Sequence, residues 1–292
     1  MRIALTGASG FLGRPIIVAA HLRGHETIAF SRNPARHVDG AVETCQFDFA
    51  SPPDLRGCEA VIHLAGEPIA GLWTREKRHE IIASRVRGTR RIVEAIARAK
   101  EKPEVLVCAS GIGYYADGGD AELREDSPRG DDFLGATCEA WEDEAIQARG
   151  VRVVRLRIAP VLGRGGGMLG AMLPIFRCCL GGPIGSGRQW MPWIHIEDLA
   201  RLVLFAIEDL NVSGPVNACA PWPVRNADFT RTLARVLRRP AILPVPAWAV
   251  RFALRGLAGE LLASKRVVPA AATAHGFGFR FPELEPALRD LL

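Results

Sequence analysis

Apolar residues along the chain gather into short continuous runs that alternate with longer segments of helical period. The runs RIALTG, ETIAFS, VETCQFD, AVIHLAG, EVLVCAS and VRVVRLRI are each brief and end in small, polar or turn-forming residues. Between them lie helical patterns at 11–23, 76–100 and 133–149. In the second of these, Ile81, Ile82, Val86, Ile92, Val93 and Ile96 make a broad apolar stripe. Strands covered on both faces read as unbroken apolar runs, and their alternation with helices predicts an α/β fold with a doubly wound parallel sheet. The texture changes after residue 163. Gly-rich segments, GRGGGMLGAML and GGPIGSGRQWMPW, flank a short helix, and most of the 20 prolines lie beyond this point. A Rossmann-type domain is therefore expected over 1–163 and a smaller lobe over 164–292. A helix near 196–209 and a strand in GPVNACA return 194–220 to the main sheet.

The first strand runs directly into Thr6-Gly7-Ala8-Ser9-Gly10-Phe11-Leu12-Gly13. Gly7 permits a tight turn, Gly10 allows backbone to approach a pyrophosphate, and Gly13 lets the helix pack close to the strand. The helix N-terminus then offers free amides and a positive dipole end to phosphate. An NAD site usually ends the second strand with an acid for the ribose 2′-hydroxyl. Here the strand ends Ser31-Arg32, with Arg36 close behind and no acid. A hydroxyl and a guanidinium suit a 2′-phosphate, so the expected cofactor is NADP(H).

Composition and charge narrow the class. The 292 residues carry a net charge of +5, but the arginines are scattered and no basic run is interleaved with aromatics, so no nucleic-acid partner is expected. No run of some 18 apolar residues suggests a membrane span, and no secretory leader is read at the start; a cytoplasmic monomer or homodimer is expected. The seven cysteines show no CxxC and no zinc spacing, so free thiols and no metal site are expected.

These motifs together resemble the extended short-chain dehydrogenase/reductases, the superfamily of nucleotide-sugar epimerases and dehydratases. TGASGFLG matches the cofactor turn, and Asp48 in QFDFA matches an acid placed near adenine. His63-Leu64-Ala65-Gly66 matches the fourth-strand end over the cofactor. Arg85 in RVRGT replaces the family's asparagine, Ala109-Ser110 matches the fifth-strand serine, and WIHIED matches an aromatic-V-H-V-x-D segment. LAGEPIAGLWTREKRHEIIASRVRGTR, SGIGYYAD, DDFLGATCEAWE and the tail ending GFGFRFPELEPALRDLL resemble an atypical epimerase-like branch of that superfamily. The resemblance implies cofactor contacts by Thr6, Leu64, Ala65, Gly66, Arg85 and Ala109 besides the turn residues.

The branch departs from the superfamily at its chemistry. The resemblance implies a Tyr-x-x-x-Lys pair, one helical turn apart, whose lysine depresses the phenol pKa. One register places Leu134 and Cys138 at these positions, and a one-residue shift places Phe133 and Thr137; neither supplies the pair. Ser110, Tyr114, Glu67 and Cys138 are the candidate catalytic groups, with relayed water ranked first as proton source. Tyr114 has Gly118 where a lysine would stand, which leaves packing or substrate contact open beside proton transfer. His195 and Asp198 are expected to brace the lobe junction. Met191-Pro192 stands where sugar-nucleotide enzymes carry a pyrophosphate-binding Arg, and Trp73, Trp190, Met191 and Trp193 suggest an apolar pocket. The reading is an NADP-dependent oxidoreductase or epimerase for a small, partly apolar carbonyl or alcohol. The alternative is a cofactor-binding regulatory protein of the same fold with little catalysis.

Overall fold

Seven parallel strands build the central sheet in the computed structural model, which describes every residue except Arg36. They are β1 (Arg2–Thr6), β2 (Glu26–Ser31), β3 (Glu43–Gln46), β4 (Ala60–His63), β5 (Val105–Gly111), β6 (Arg152–Ile158) and β7 (Gly214–Ala218). Their spatial order is β7-β6-β5-β4-β1-β2-β3. The order reverses between β1 and β4, and the crevice beyond the carboxyl ends of those two strands is where such sheets take ligands.

The strand period of two sorts the apolar runs onto opposite faces. Ile3 and Leu5 of β1, with Val105 and Val107 of β5, pack under α1 (Gly13–Leu22) and α5 (Ile196–Glu208). Ala4, Val61 and Leu106 face the other way, beneath Ile92, Ala95 and Ile96 of α2 (Arg75–Arg98) and Trp141 of α3 (Phe133–Ala145). Capping fixes where the two site-forming helices begin. Thr74 accepts a hydrogen bond from the Lys77 amide at 3.2 Å, and Asp132 accepts one from the Gly135 amide at 2.8 Å.

The remaining chain forms a second apolar nucleus. Leu169 and Phe176 of α4 (Gly167–Arg177) meet Phe229 and Leu233 of α6 (Asn226–Leu237), and Trp193 fills the space between. The short α7 (Ala247–Leu254), α8 (Gly256–Leu262) and α9 (Ala270–Ala274) precede α10 (Leu284–Leu291), whose Leu284, Leu288 and Leu291 close that nucleus. Ala272 and Phe277, late in the chain, pack on the α1–α5 face of the main sheet, so more than the 194–220 segment returns there. No helix among the described residues is long and apolar enough to cross a membrane.

Candidate cofactor and substrate site

Backbone geometry shapes the turn after β1. Gly7 has φ +72°, and a Cβ there would sit 3.2 Å from the Ala65 nitrogen. At Gly13 a Cβ would fall 2.4 Å from the Ala8 carbonyl oxygen, so only glycine allows α1 to lie this close. Ser9 and Gly10 are exposed, and the Gly10 amide closes the turn onto the Gly7 carbonyl at 3.0 Å. Leu12 caps α1 without a side-chain bond, and the first turn holds no acid. The helix therefore begins with unspent amides, which fit a phosphate. The Phe11 ring turns away and covers Gly163, Gly166 and Gly167, where added Cβ atoms would lie within 2.7 Å of it.

Thr6 is a fastener between strands. It is 1% exposed, and its Oγ1 accepts the Leu64 and Ala65 amides at 3.2 Å each. Its own proton therefore points to His63 Nδ1 at 2.7 Å, which assigns the imidazole proton to Nε2. Burial pushes the His63 pKa down to about 3, and Nε2 meets no hydrogen-bond partner. Leu64 and Ala65 are half-buried and Gly66 is exposed, so this segment borders the crevice. Ala109 is in the core, packed with the α2–α3 side.

The end of β2 carries the other half of the crevice. Ser31 is half-buried, and its Oγ accepts the Asn33 amide at 3.3 Å. Arg32 is exposed and forms no ion pair among the described residues; Arg36 lies outside them. Asp48 is also exposed and accepts the Ala50 amide at 3.0 Å and Gln46 Nε2 at 3.2 Å, ordering its own loop. Gly66 lies under Arg85, whose guanidinium donates to the Glu67 carbonyl at 2.9 Å and stands 4.9 Å over Trp141. Burial holds the Arg85 pKa below its usual range.

The four candidate catalytic groups do not converge as free side chains. Ser110 is 5% exposed and donates to Glu142 Oε1 at 2.8 Å. Glu142 is gripped in turn by Arg157, with Nε to Oε1 at 2.8 Å and Nη2 to Oε2 at 3.0 Å. Burial works against the Arg157 charge, but its hydrogen bonds to Glu142 and the neighbouring acidic groups outweigh that, and the guanidinium is held above its ordinary range. Arg157 also donates to Tyr115 Oη at 2.9 Å, and that phenol donates to Asn217 Oδ1 at 2.7 Å. Tyr115 is thus a core residue whose pKa burial raises.

Tyr114 lies edge-on to Tyr115, with the Arg157 guanidinium 3.4 Å over its ring, and its hydroxyl has no partner among the described residues. Cys138 is buried, and desolvation first of all pushes its thiol up to about 11. Glu67 is ion-paired with Lys77. Leu134 is buried and packs on Gly113, where an added Cβ would be 3.0 Å from it.

The expected aromatic pocket is dispersed. Trp193 is fully buried in the second nucleus. Trp190 donates to Asp120 at 2.8 Å and lies under Arg225 at 4.5 Å and Arg266 at 5.0 Å. Trp73 lines a cleft of about 250 Å³ with Arg78, Phe133, Leu134, Gly256 and Glu260. His195 and Asp198 brace the end of the chain. His195 stacks on Phe281 at 3.9 Å, and Asp198 accepts the Arg280 and Phe281 amides at 2.8 Å each. No group of three His, Cys, Asp or Glu side chains among the described residues is placed to hold a metal ion.

The family model described as the NAD dependent epimerase/dehydratase family matches residues 3–219. The chain belongs to that family. A domain of unknown function, DUF1731, matches 245–291. The epimerase family protein YfhF of Bacillus subtilis is 38% identical over 299 residues, covering 100% of this chain and 98% of that one. The chloroplastic homolog of SDR39U1 in Arabidopsis thaliana is 37% identical over 307 residues, covering 100% and 87%. The crystal structure of human epimerase family protein SDR39U1 (isoform2) with NADPH is 38% identical, with a TM-score of 0.92 and coverage of 100% and 99%.

Within this epimerase-family fold, the sequence reading missed Glu142 and Arg157, the centre of the buried network. Glu142 reads as an ordinary helix acid. Arg155 and Arg157 alternate with apolar residues along a strand, a pattern that elsewhere marks a solvent-facing edge. The available signal was position: β6 sits inside the sheet, between β5 and β7, so an arginine on it needs a buried partner.

Proposed function

We propose that the protein is an NADP(H)-dependent oxidoreductase or epimerase acting on a small, partly apolar carbonyl or alcohol. The carrying observation is the exposed Arg32, which has no ion pair among the described residues, next to Ser31 at the end of β2. The strand beside it, β1, leads at its own end into a helix start without a side-chain cap. The chemistry of this donor set fits the dinucleotide: Gly10–Gly13 and the first amides of α1 would hold the pyrophosphate, and Ser31 with Arg32 would hold a 2′-phosphate. The NADPH in the human relative supports the same choice. When bound, the nicotinamide supplies or accepts a hydride.

This chain's own residues must manage the proton on the substrate oxygen. Ser110 spends its proton on Glu142, Cys138 is held as a thiol, and Glu67 is ion-paired with Lys77. Tyr114 is the candidate whose hydroxyl remains unengaged, so it delivers the proton directly or through water. The regulatory alternative draws on the lack of a Tyr–Lys pair in either register of 133–138; in the register that puts Leu134 at the tyrosine position, that side chain is buried.

Titration of NADPH and NADH by fluorescence, followed by NADPH oxidation across a carbonyl panel, tests both readings. Tighter NADPH binding with turnover reduced about 10²–10⁴-fold by Tyr114→Phe supports the enzyme. Equal affinity for the two cofactors removes the NADP assignment. Tight NADPH binding without turnover moves the protein to the regulatory class.

A further inference from the structure

The cleft between the start of α2, the start of α3 and α8 contains three charged side chains, and their partners differ. Asp132 spends its carboxylate on the Gly135 amide, 2.8 Å away. Glu260 receives the ammonium of Lys265 at 2.6 Å, and that lysine is 2% exposed. The Arg78 guanidinium has neither an ion pair nor a hydrogen bond among the described residues. Arg78 is exposed, and two aromatic rings flank its guanidinium. Its Cζ lies 5.9 Å from the Trp73 ring and 5.2 Å from the Phe133 ring, and those rings meet edge to face at 5.1 Å. Gly256 presses on the group from the second lobe, since a Cβ there would fall 2.7 Å from Trp73 and 3.0 Å from Arg78 Nη2.

A planar guanidinium flanked by aromatic faces loses less freedom on pairing with a carboxylate than one free in solvent. Two indole and phenyl edges with buried Leu134 supply the apolar wall for the remainder of the ligand. We propose that this cleft binds a small monocarboxylate with an aromatic or branched apolar body, anchored by Arg78. As the substrate class of the enzyme proposed above, this rests on that reading; as a binding site it does not. Lys265 offsets the charge of Glu260, but the Asp132 carboxylate has no ion pair among the described residues, and its negative charge in the lining favours one carboxylate over a dianion such as a phosphate ester.

The test uses 3-phenylpropionate and 3-phenylpropionamide, titrated calorimetrically into the full chain, with and without NADPH. The carboxylate is expected to bind about 10- to 100-fold more tightly than the amide, the worth of one charge-assisted pair. Arg78→Met is expected to erase that preference, Arg78→Lys to restore part of it, and both to leave NADPH affinity unchanged. Equal binding of acid and amide, a preference that survives Arg78→Met, or no saturable binding of the acid at millimolar concentration overturns the site. Failure of the NADP reading shows separately: NADPH then binds no better than NADH while the acid–amide preference persists.

Discussion

The turn at 7–13 and the start of α3 at 133–138 use their polar groups differently. In the turn, polar groups are left unspent: α1 has no side-chain cap, Ser9 is exposed, and Arg32, just past the end of neighbouring β2, has no ion pair among the described residues. At the start of α3, the polar groups are consumed internally. Asp132 caps the helix, the Thr137 hydroxyl donates to the Phe133 carbonyl at 2.6 Å, and Leu134 is packed against Gly113. The turn is specified by backbone shape, which only glycine satisfies at positions 7 and 13. A catalytic side chain has no such geometric protection, because any residue that fills the volume preserves the fold.

The sharpest way to break this comparison is at Glu142. Glu142→Ala leaves the Arg157 charge buried without its carboxylate, and the expected loss is about 3–5 kcal/mol in chemical denaturation. Glu142→Gln, which keeps acceptor and shape in part, is expected to lose less. A loss under about 1 kcal/mol for the alanine variant means the network is not the closed structural unit described.

On the open side, Arg32→Ala is expected to weaken NADPH about 10- to 100-fold by fluorescence titration while NADH changes little. An equal loss for both cofactors places Arg32 elsewhere than beside the 2′-phosphate. His63 sharpens the boundary between the two regions through pH. Its native pKa of about 3 lies below the ordinary 6.5, so the unfolded chain takes up a proton first. The stability it contributes is present above pH 6.5 and is lost as pH falls toward 3, with about 2 kcal/mol gone at pH 5. The pH dependence of unfolding in wild type minus that in His63→Leu isolates this group, since shared carboxylates cancel. The smallest effect belongs to Cys138→Ala. With its thiol pushed up to about 11, removal is expected to change kcat by less than about tenfold, measured with NADPH affinity as control.

The sheet was legible because β1, β2, β4 and β5 are short apolar runs, and the helices because their stripes have the right period; α5 ends at Glu208, one residue from its expected limit. The cofactor turn was legible because it is local: strand, glycines and helix follow one another within a dozen residues. The closed network was not. Glu142 and Arg157 are fifteen residues apart on a helix and a strand, and Asn217 joins them from a third element. Only the strand order makes them neighbours. The same limit dispersed the tryptophans, because spacing says nothing about whether Trp193 faces a cleft or a core. Leu134 and Cys138 are both buried, as is Thr137 of the alternative register, so burial does not choose between the two alignments of 133–138.

The Phe11 ring rests on Gly163, Gly166 and Gly167, so the dinucleotide turn and this glycine segment share one packing contact. A ligand that orders 7–13 stabilises whatever opens together with that turn by RT ln(1 + [L]/Kd), about 2.7 kcal/mol at a hundredfold excess over Kd. If the glycine segment and the start of α4 open only when Phe11 withdraws, their amides share that increment without touching the ligand. Hydrogen exchange at 163–169 should then slow on NADPH addition in step with exchange at 7–13, and Phe11→Ala should uncouple the two. On that outcome, the glycines that make room for one aromatic ring let the start of α4 report occupancy of the turn at 7–13.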